Sequence, residues 1–378
     1  MRHRHDPRTL SVRRSRFVGI LIAFLSSTCG VASNDPETQV LSCEDCIIDG
    51  FLLATISDST YPSGALVSNG AVHVNADGSF IVAAGPMPWT ELYHANGNGL
   101  IDRRIGASGE GPGEYKMPQA VMETNTSYII FDGALRRLTW LSKSDFGVRM
   151  TRTVHPMNMV VAPRAFADGA IAIAARGPPA GGRETIHFLD SAGEAQHSIN
   201  LEPSPAERED QRVSLIATSA DGGMWTVRRG AYRIQKWSRD GRLERSLERK
   251  PDWLPEAGWP DASTADNAYV IQLLHEDHAG RLWVHVTVRR QIDAVLTVQR
   301  GAEAPAPRLS RRTDPDPSSG ASIIEVIHPV SGQLIASVRW SGVHAIGVSG
   351  GFYLRTARSS PSGEPLLDIW GFRLRSGS

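Results

Sequence analysis

The densest group of side chains able to ligate a metal or relay protons is the run His275-Glu276-Asp277-His278. A zinc or calcium ion needs four or more donors converging on one point. This run sits where a strand enters a turn, and alternate strand residues face opposite sides, so His275 and His278 do not converge without a bulge. No metal site and no catalytic residue is assigned from it. The chain carries neither a His-Glu-x-x-His zinc motif nor a Gly-x-Ser-x-Gly nucleophile elbow. The run Gly109-Glu110-Gly111-Pro112-Gly113-Glu114-Tyr115 could pass for a phosphate-cradling loop, but no Gly-Lys-Ser/Thr follows, and the residues after Pro118 read as strand. Its glycines are expected to permit a tight turn between repeats. Asn96-Gly97-Asn98-Gly99 with Asp102 lacks the spacing and terminal Glu of an EF-hand and reads as a hairpin. Glu207, Glu209 and Asp210 read as solvated loop charges.

Cysteine chemistry is confined to the N-terminal part. Arg2, Arg4, Arg8, Arg13, Arg14 and Arg16 precede an apolar run from Phe17 to Leu25, which stops at Ser26-Ser27-Thr28-Cys29. A basic region, a short apolar region and small residues form the layout of a secretory signal peptide. The apolar run is about half the length that spans a bilayer. Cys29 stands where a bacterial lipoprotein carries its lipidated cysteine, although Ser26 and Thr28 replace the usual Leu and Gly or Ala. Conventional cleavage after Val31-Ala32-Ser33 is the competing reading. The expected boundaries are a signal peptide over 1–29 and a short mature segment over 30–48. Within that segment Cys43 and Cys46 form the only C-x-x-C, expected to close as a structural disulfide in an oxidising compartment. Zinc would need two further ligands that are not nearby, and Ile47 in place of His excludes haem attachment.

The elements that position these groups read as strands. The 378 residues are 41% hydrophobic, with 36 Gly and 23 Pro, a globular composition. Equal totals of 40 Lys+Arg and 40 Asp+Glu argue against a nucleic-acid partner. From residue 49 onward, short runs rich in Val, Ile, Leu, Phe, Tyr and Trp alternate with turn dipeptides. Asp77-Gly78, Asp168-Gly169, Asp221-Gly222, Ala279-Gly280 and Gly350-Gly351 each feed an apolar strand, and Asn125-Thr126 is a weaker copy. Steps of about forty to about seventy residues suit propeller blades. A second hairpin follows at Asn96–Gly99, Ser144–Asp145, Ser191–Gly193, Arg239–Gly241 and Ser331–Gly332. Each copy thus expands into a four-stranded blade, and the fold class is all-β, a six-bladed propeller over 49–378. The last copy lacks an outer strand, which Phe51 to Ile56 can supply, removing the free edges of an open array.

These strand-turn-strand repeats, together with Arg104-Ile105-Gly106 and the Gly109–Tyr115 run, resemble the bacterial six-bladed β-propeller proteins related to NHL repeats, many of them exported and lipoprotein-like. The resemblance covers roughly residues 40 to 378. Glu276 to Val284 also resembles the propeller repeats of bacterial sensor ectodomains. Blade motifs report fold more strongly than activity.

The blade register places long connections on one face, and function in a rigid scaffold tends to sit on such loops. Arg176, Arg228, Arg289 and Arg355 end equivalent second strands and could surround one mouth of the channel, binding a carboxylate, sulfate or phosphate. The alternative is that each pairs with a local acid or lies in solvent. The expected protein is a binding or scaffold module, periplasmic or anchored in the outer membrane through a lipid only, with a protein, peptide or glycan as ligand. Two rivals stay open. Related six-bladed folds include lactonases and lyases with calcium or zinc in the central channel, although no ligand set for either ion assembles here and no cofactor is assigned. The other rival is a sensor ectodomain, in a sequence expected to carry no output domain after its last blade.

Overall fold

The structure, a computed structural model, describes residues 46–57, 70–84, 90–154, 160–175, 184–201, 214–228, 232–251, 267–290, 321–341 and 345–376. The chain divides into two units, Met1–Gln39 and Val40–Ser378. The first unit lies outside the described residues, taking Cys29 with it; Cys43 and Arg176 also lie outside.

Every element among the described residues is a strand. The chain opens with β1 (Cys46–Ser57). Blade 1 follows with β2 (Val72–Val74), β3 (Phe80–Ala84), β4 (Glu91–Ala95) and β5 (Ile101–Ser108), extended by the two-residue β6 (Glu114–Tyr115). Blade 2 is β7 (Pro118–Glu123), β8 (Ser127–Asp132), β9 (Arg137–Ser142) and β10 (Val148–Thr153). Blade 3 is β11 (Val160–Ala165), β12 (Ile171–Ala175), β13 (Glu184–Leu189) and β14 (Ala195–Leu201). Blade 4 is β15 (Ser214–Thr218), β16 (Met224–Arg228), β17 (Arg233–Trp237) and β18 (Leu243–Glu248). Blade 5 is β19 (Asn267–Glu276), β20 (Leu282–Arg290), β21 (Ala321–Ile327) and β22 (Leu334–Ser341). Blade 6 has β23 (Ile346–Val348), β24 (Tyr353–Ser359) and β25 (Pro365–Ser376), and takes β1 as its outer strand. The protein is a six-bladed β-propeller closed by its N-terminal strand, with Phe51 opposite Gly371 and Ile56 opposite Leu367.

Turn chemistry sets the blade register. In blades 1, 3, 4 and 5 the first hairpin is the same five-residue turn. Asn75 N–H donates to Ser79 O at 2.8 Å, and Gly78 N–H donates to Asn75 O at 2.9 Å. Phe166, Ser219 and Asp277 begin the equivalent turns. The fourth residue is always a glycine with φ of 77–93° (Gly78, Gly169, Gly222, Gly280), a left-handed conformation that carries no Cβ penalty only in glycine. Asp77, Asp168 and Asp221 each accept the N–H two residues on, holding the bend.

In blades 1 to 5 the second strands are buried on both faces, and their alternating side chains supply two different cores. Phe80 and Val82 pack towards β1, Leu367 and Ile369, whereas Ile81 and Ala83 pack with Tyr115, Val121 and Tyr128 of the next blade. The Gly109–Tyr115 run belongs to this second interface. β6 pairs in parallel with β5, and Tyr115 is fully buried between blades 1 and 2. A Cβ on Gly106 would lie 2.5 Å from the Tyr115 ring, so that glycine makes room for it. Glu114 Oε2 accepts Gly111 N–H at 2.8 Å, and the Arg137 guanidinium donates to the carbonyls of Glu110 and Gly111. The Glu114 carboxylate and the carbonyls of Glu110 and Gly111 are thus engaged within the protein.

Candidate axial site

The inner strands β2, β7, β11, β15, β19 and β23 are neighbours in a ring, and β23 returns to β2 through the parallel bridge between His73 and Ser349. At the end where these strands run into their hairpin turns they enclose a cavity of about 390 Å3, lined by residues of all six blades. Its chemistry comes from His73, Glu123, Lys143, Arg164, His275 and Ser349. Three of these share a register: His73, Arg164 and His275 each stand five residues before a left-handed turn glycine, Gly78, Gly169 and Gly280. The equivalent position in blade 4 is Ala217, which also lines the cavity.

His73 is almost fully buried. Its Nδ1 lies 2.9 Å from Ser349 Oγ and its Nε2 lies 3.4 Å from Glu123 Oε2. With Nε2–H directed at the carboxylate, Nδ1 is the acceptor for the serine hydroxyl. Ser349 Oγ also lies within hydrogen-bond reach of Val72 O and Val121 O, so this one hydroxyl ties blades 6, 1 and 2 together. Burial holds the His73 imidazole below its ordinary pKa, against the pull of Glu123, and leaves the ring neutral.

Glu123 is a structural clamp that reaches the cavity. Burial opposes its ionisation, but hydrogen bonds from His73, Lys143 and the Ala76 N–H outweigh that and bring its pKa down to about 2. Glu276 repeats the arrangement in blade 5, accepting the Ala220 N–H of blade 4 at 3.1 Å together with the Ser219 hydroxyl and the Trp225 indole. In both cases a carboxylate at the end of an inner strand holds the turn of the preceding blade.

Arg164 and His275 have no such commitments. Arg164 Nη1 donates to Pro163 O at 3.0 Å, and no carboxylate pairs with its guanidinium among the described residues. Burial lowers its pKa to about 10, so it stays charged at neutral pH. His275 makes no hydrogen bond within the described residues; burial outweighs the opposing pull of Asp277 and, with a smaller contribution from the field of Arg164, brings its pKa down to about 4. The rest of the His275–His278 run diverges, as strand alternation requires. Glu276 goes to blade 4, Asp277 accepts from Trp283 Nε1 and Arg281 Nε, and His278 is exposed.

The arginine series occupies the other end of the inner strands. Arg228 is registered against Ser214, Arg289 against Ala268 and Arg355 against Ile346, whereas the cavity is formed near Thr218, His275 and Ser349. Arg355 is 5% exposed and its Nη1 donates to Gly70 O, with burial bringing its pKa down to about 10. Of the long connections expected to carry function, Gly106 to Pro118 is described and packs between blades 1 and 2, whereas Glu202 to Arg212, Arg300 to Gly320 and residues 252–266 of the connection from Arg249 to Asn267 lie outside the described residues.

No protein-family model and no curated protein matches the chain. Solved structures match it in fold. A member of the DUF4221 family from Bacteroides vulgatus superposes with a TM-score of 0.57 at 10% identity, covering 87% of this chain and 99% of its own. A Bacteroides fragilis protein, named for its expected export, superposes with a TM-score of 0.53 at 11% identity, covering 89% and 98%. At such identities the shared property is the propeller fold.

Proposed function

We propose that the protein is an exported ligand-binding propeller of the cell envelope, tethered through a lipid at Cys29, with the axial cavity as its binding site. The observation that carries the binding assignment is the convergence of six inner strands on one cavity that holds uncommitted polar side chains at Arg164 and His275. Rigid β-scaffolds place specificity in such concave sites, where a few polar groups orient a small ligand. A volume of about 390 Å3 equals about thirteen waters at about 30 Å3 each, room for a small organic molecule but not for a folded partner.

Ala167 tests the site. It is exposed, lies in the hairpin turn of blade 3 and lines the cavity, so Ala167→Trp fills the opening without touching a core. The expected outcome is an unchanged melting temperature with loss of every small-molecule stabilisation found for the wild type in a thermal-shift screen. Retention of those shifts in the Trp variant would place binding elsewhere.

The envelope assignment rests on the signal-like N-terminus and on Cys29 at the end of its apolar run. Mass spectrometry of the protein made in a bacterial host is expected to find a diacylglyceryl-modified N-terminal Cys29. An unmodified peptide beginning at Asn34 would mean ordinary secretion. In the same digest Cys43 and Cys46 are expected to resist alkylation until reduced, and free thiols at both would refute their pairing.

A further inference from the structure

We propose that the axial cavity recognises a small organic carboxylate, whose carboxylate group pairs with the guanidinium of Arg164 and accepts from the imidazole of His275. This rests on the axial cavity being the binding site and goes on to name the chemistry of what enters it.

The charges facing the cavity settle the sign of the ligand. Lys143 and Glu123 are paired with each other, and Glu123 is further saturated by His73 and the Ala76 N–H. His73 is neutral, engaged on one nitrogen by Ser349 and on the other by Glu123. Ser349, Thr218 and the backbone of Gly350 and Gly351 add no charge. The remaining charge is that of Arg164, a single positive charge partly withdrawn from water and facing no carboxylate among the described residues. A desolvated charge without a counter-charge is costly, and the cost is relieved when a ligand supplies the opposite sign.

One net positive charge matches one monoanion. A phosphate dianion would need a second cation, and Lys143 is already held by Glu123 and by Thr124 O at 3.1 Å. Arginine also favours the planar, two-pronged acceptor that a carboxylate presents. With one of its five N–H groups on Pro163 O, the guanidinium keeps further donors for such a contact. His275, beside the same space, offers a ring nitrogen as a further donor.

The test uses the intact protein and the smallest probe of the class, so that ligand size plays no part. Thermal unfolding is followed in increasing sodium acetate, in acetamide as the neutral shape control, and in inorganic phosphate, each at constant ionic strength. Acetate is expected to raise the melting temperature of the wild type and acetamide to leave it unchanged. Arg164→Gln should weaken acetate binding roughly ten- to a hundredfold, the loss of one charge-assisted pair, and Arg164→Lys should keep part of it. His275→Leu should weaken binding less, because it removes one neutral donor. Equal acetate responses in wild type and Arg164→Gln, or none in either, would overturn the carboxylate assignment, as would stabilisation by phosphate alone. Acetate stabilisation that persists in Ala167→Trp would instead refute the cavity as the site, so the two failures are distinguishable.

Discussion

Removal of β1 is expected to abolish the cooperative thermal transition of the propeller. β1 is registered along its whole length against β25, from Cys46 opposite Ser376 to Ser57 opposite Leu366. Its inward residues Ala54 and Ile56 are buried in the core shared with Phe80, Val82, Leu367 and Ile369 of blades 1 and 6. Deleting residues through Ser57 therefore exposes that core and the edge of β25 together. Loss of one buried Ile side chain costs about 2–5 kcal/mol, and an entire domain is stable by only about 5–15 kcal/mol. The single substitution Ile56→Asp should have nearly the same effect, since it puts an unpaired carboxylate at a fully buried position. Asp49→Asn is the control. Asp49 pairs with Arg373 and Arg375 on an exposed surface, where solvent screens such pairs and they add little to stability. Circular dichroism melts decide the matter: an unchanged transition after deletion of residues through Ser57 would show that the ring closes without this strand.

Acid is expected to destabilise the protein well above the pH at which carboxylates ordinarily titrate. His73 and His275 are both held below their ordinary pKa of 6.5, chiefly by burial, His275 at about 4. As pH falls below 6.5 the unfolded chain takes up protons that the folded state refuses, so stability present at pH 7 is lost between about 6.5 and about 4. His275 contributes up to about 1.4 kcal/mol per pH unit across that window, and His73 adds to the loss in the same direction. Over the full interval His275 alone accounts for about 3 kcal/mol. Glu123 acts later: with its folded pKa at about 2, its stabilisation is complete above the ordinary value of 4.5 and fades as pH falls from there towards 2. The charged neighbours that bear on the two imidazoles are Glu123, Lys143, Arg164 and Asp277; Glu123 and Asp277 are held below the ordinary carboxylate range and Arg164 stays at about 10, so none of these three changes charge in the window. Urea unfolding at about pH 7, about pH 5.5 and about pH 4.5, the first above that window and the other two inside it, should show the loss, and His275→Gln should reduce its slope. A midpoint constant across that range would mean that both imidazoles are accessible to protons in the folded state.

The blades were legible in the sequence because their determinants are local. A turn such as Asn75–Ser79 needs an Asx residue and a glycine with positive φ at fixed offsets, and strands buried on both faces read as unbroken apolar runs. The missing outer strand of the last blade was legible for the same reason, since counting strands per repeat left one short and Phe51–Ile56 spare. The site was not legible in this way. His73, Glu123, Lys143, Arg164 and Ser349 carry no mark in the sequence, because each is one polar residue beside an ordinary turn, and only ring closure brings blades 1, 2, 3, 5 and 6 onto one axis. A signal was present in the fifth residue before each turn glycine, where His73, Arg164 and His275 recur, but it has meaning only once the inner strands are known to face a common channel. His275 stands out in the sequence for a different reason, its neighbours Glu276, Asp277 and His278, and strand alternation sends those neighbours elsewhere. The arginines at the second-strand ends share a register that the sequence reveals, yet the tertiary structure decides what surrounds them, burying Arg355 against Gly70 O. Local turn geometry and alternation are encoded within a few residues, whereas the charge, burial and partners of a side chain depend on chain segments hundreds of residues away.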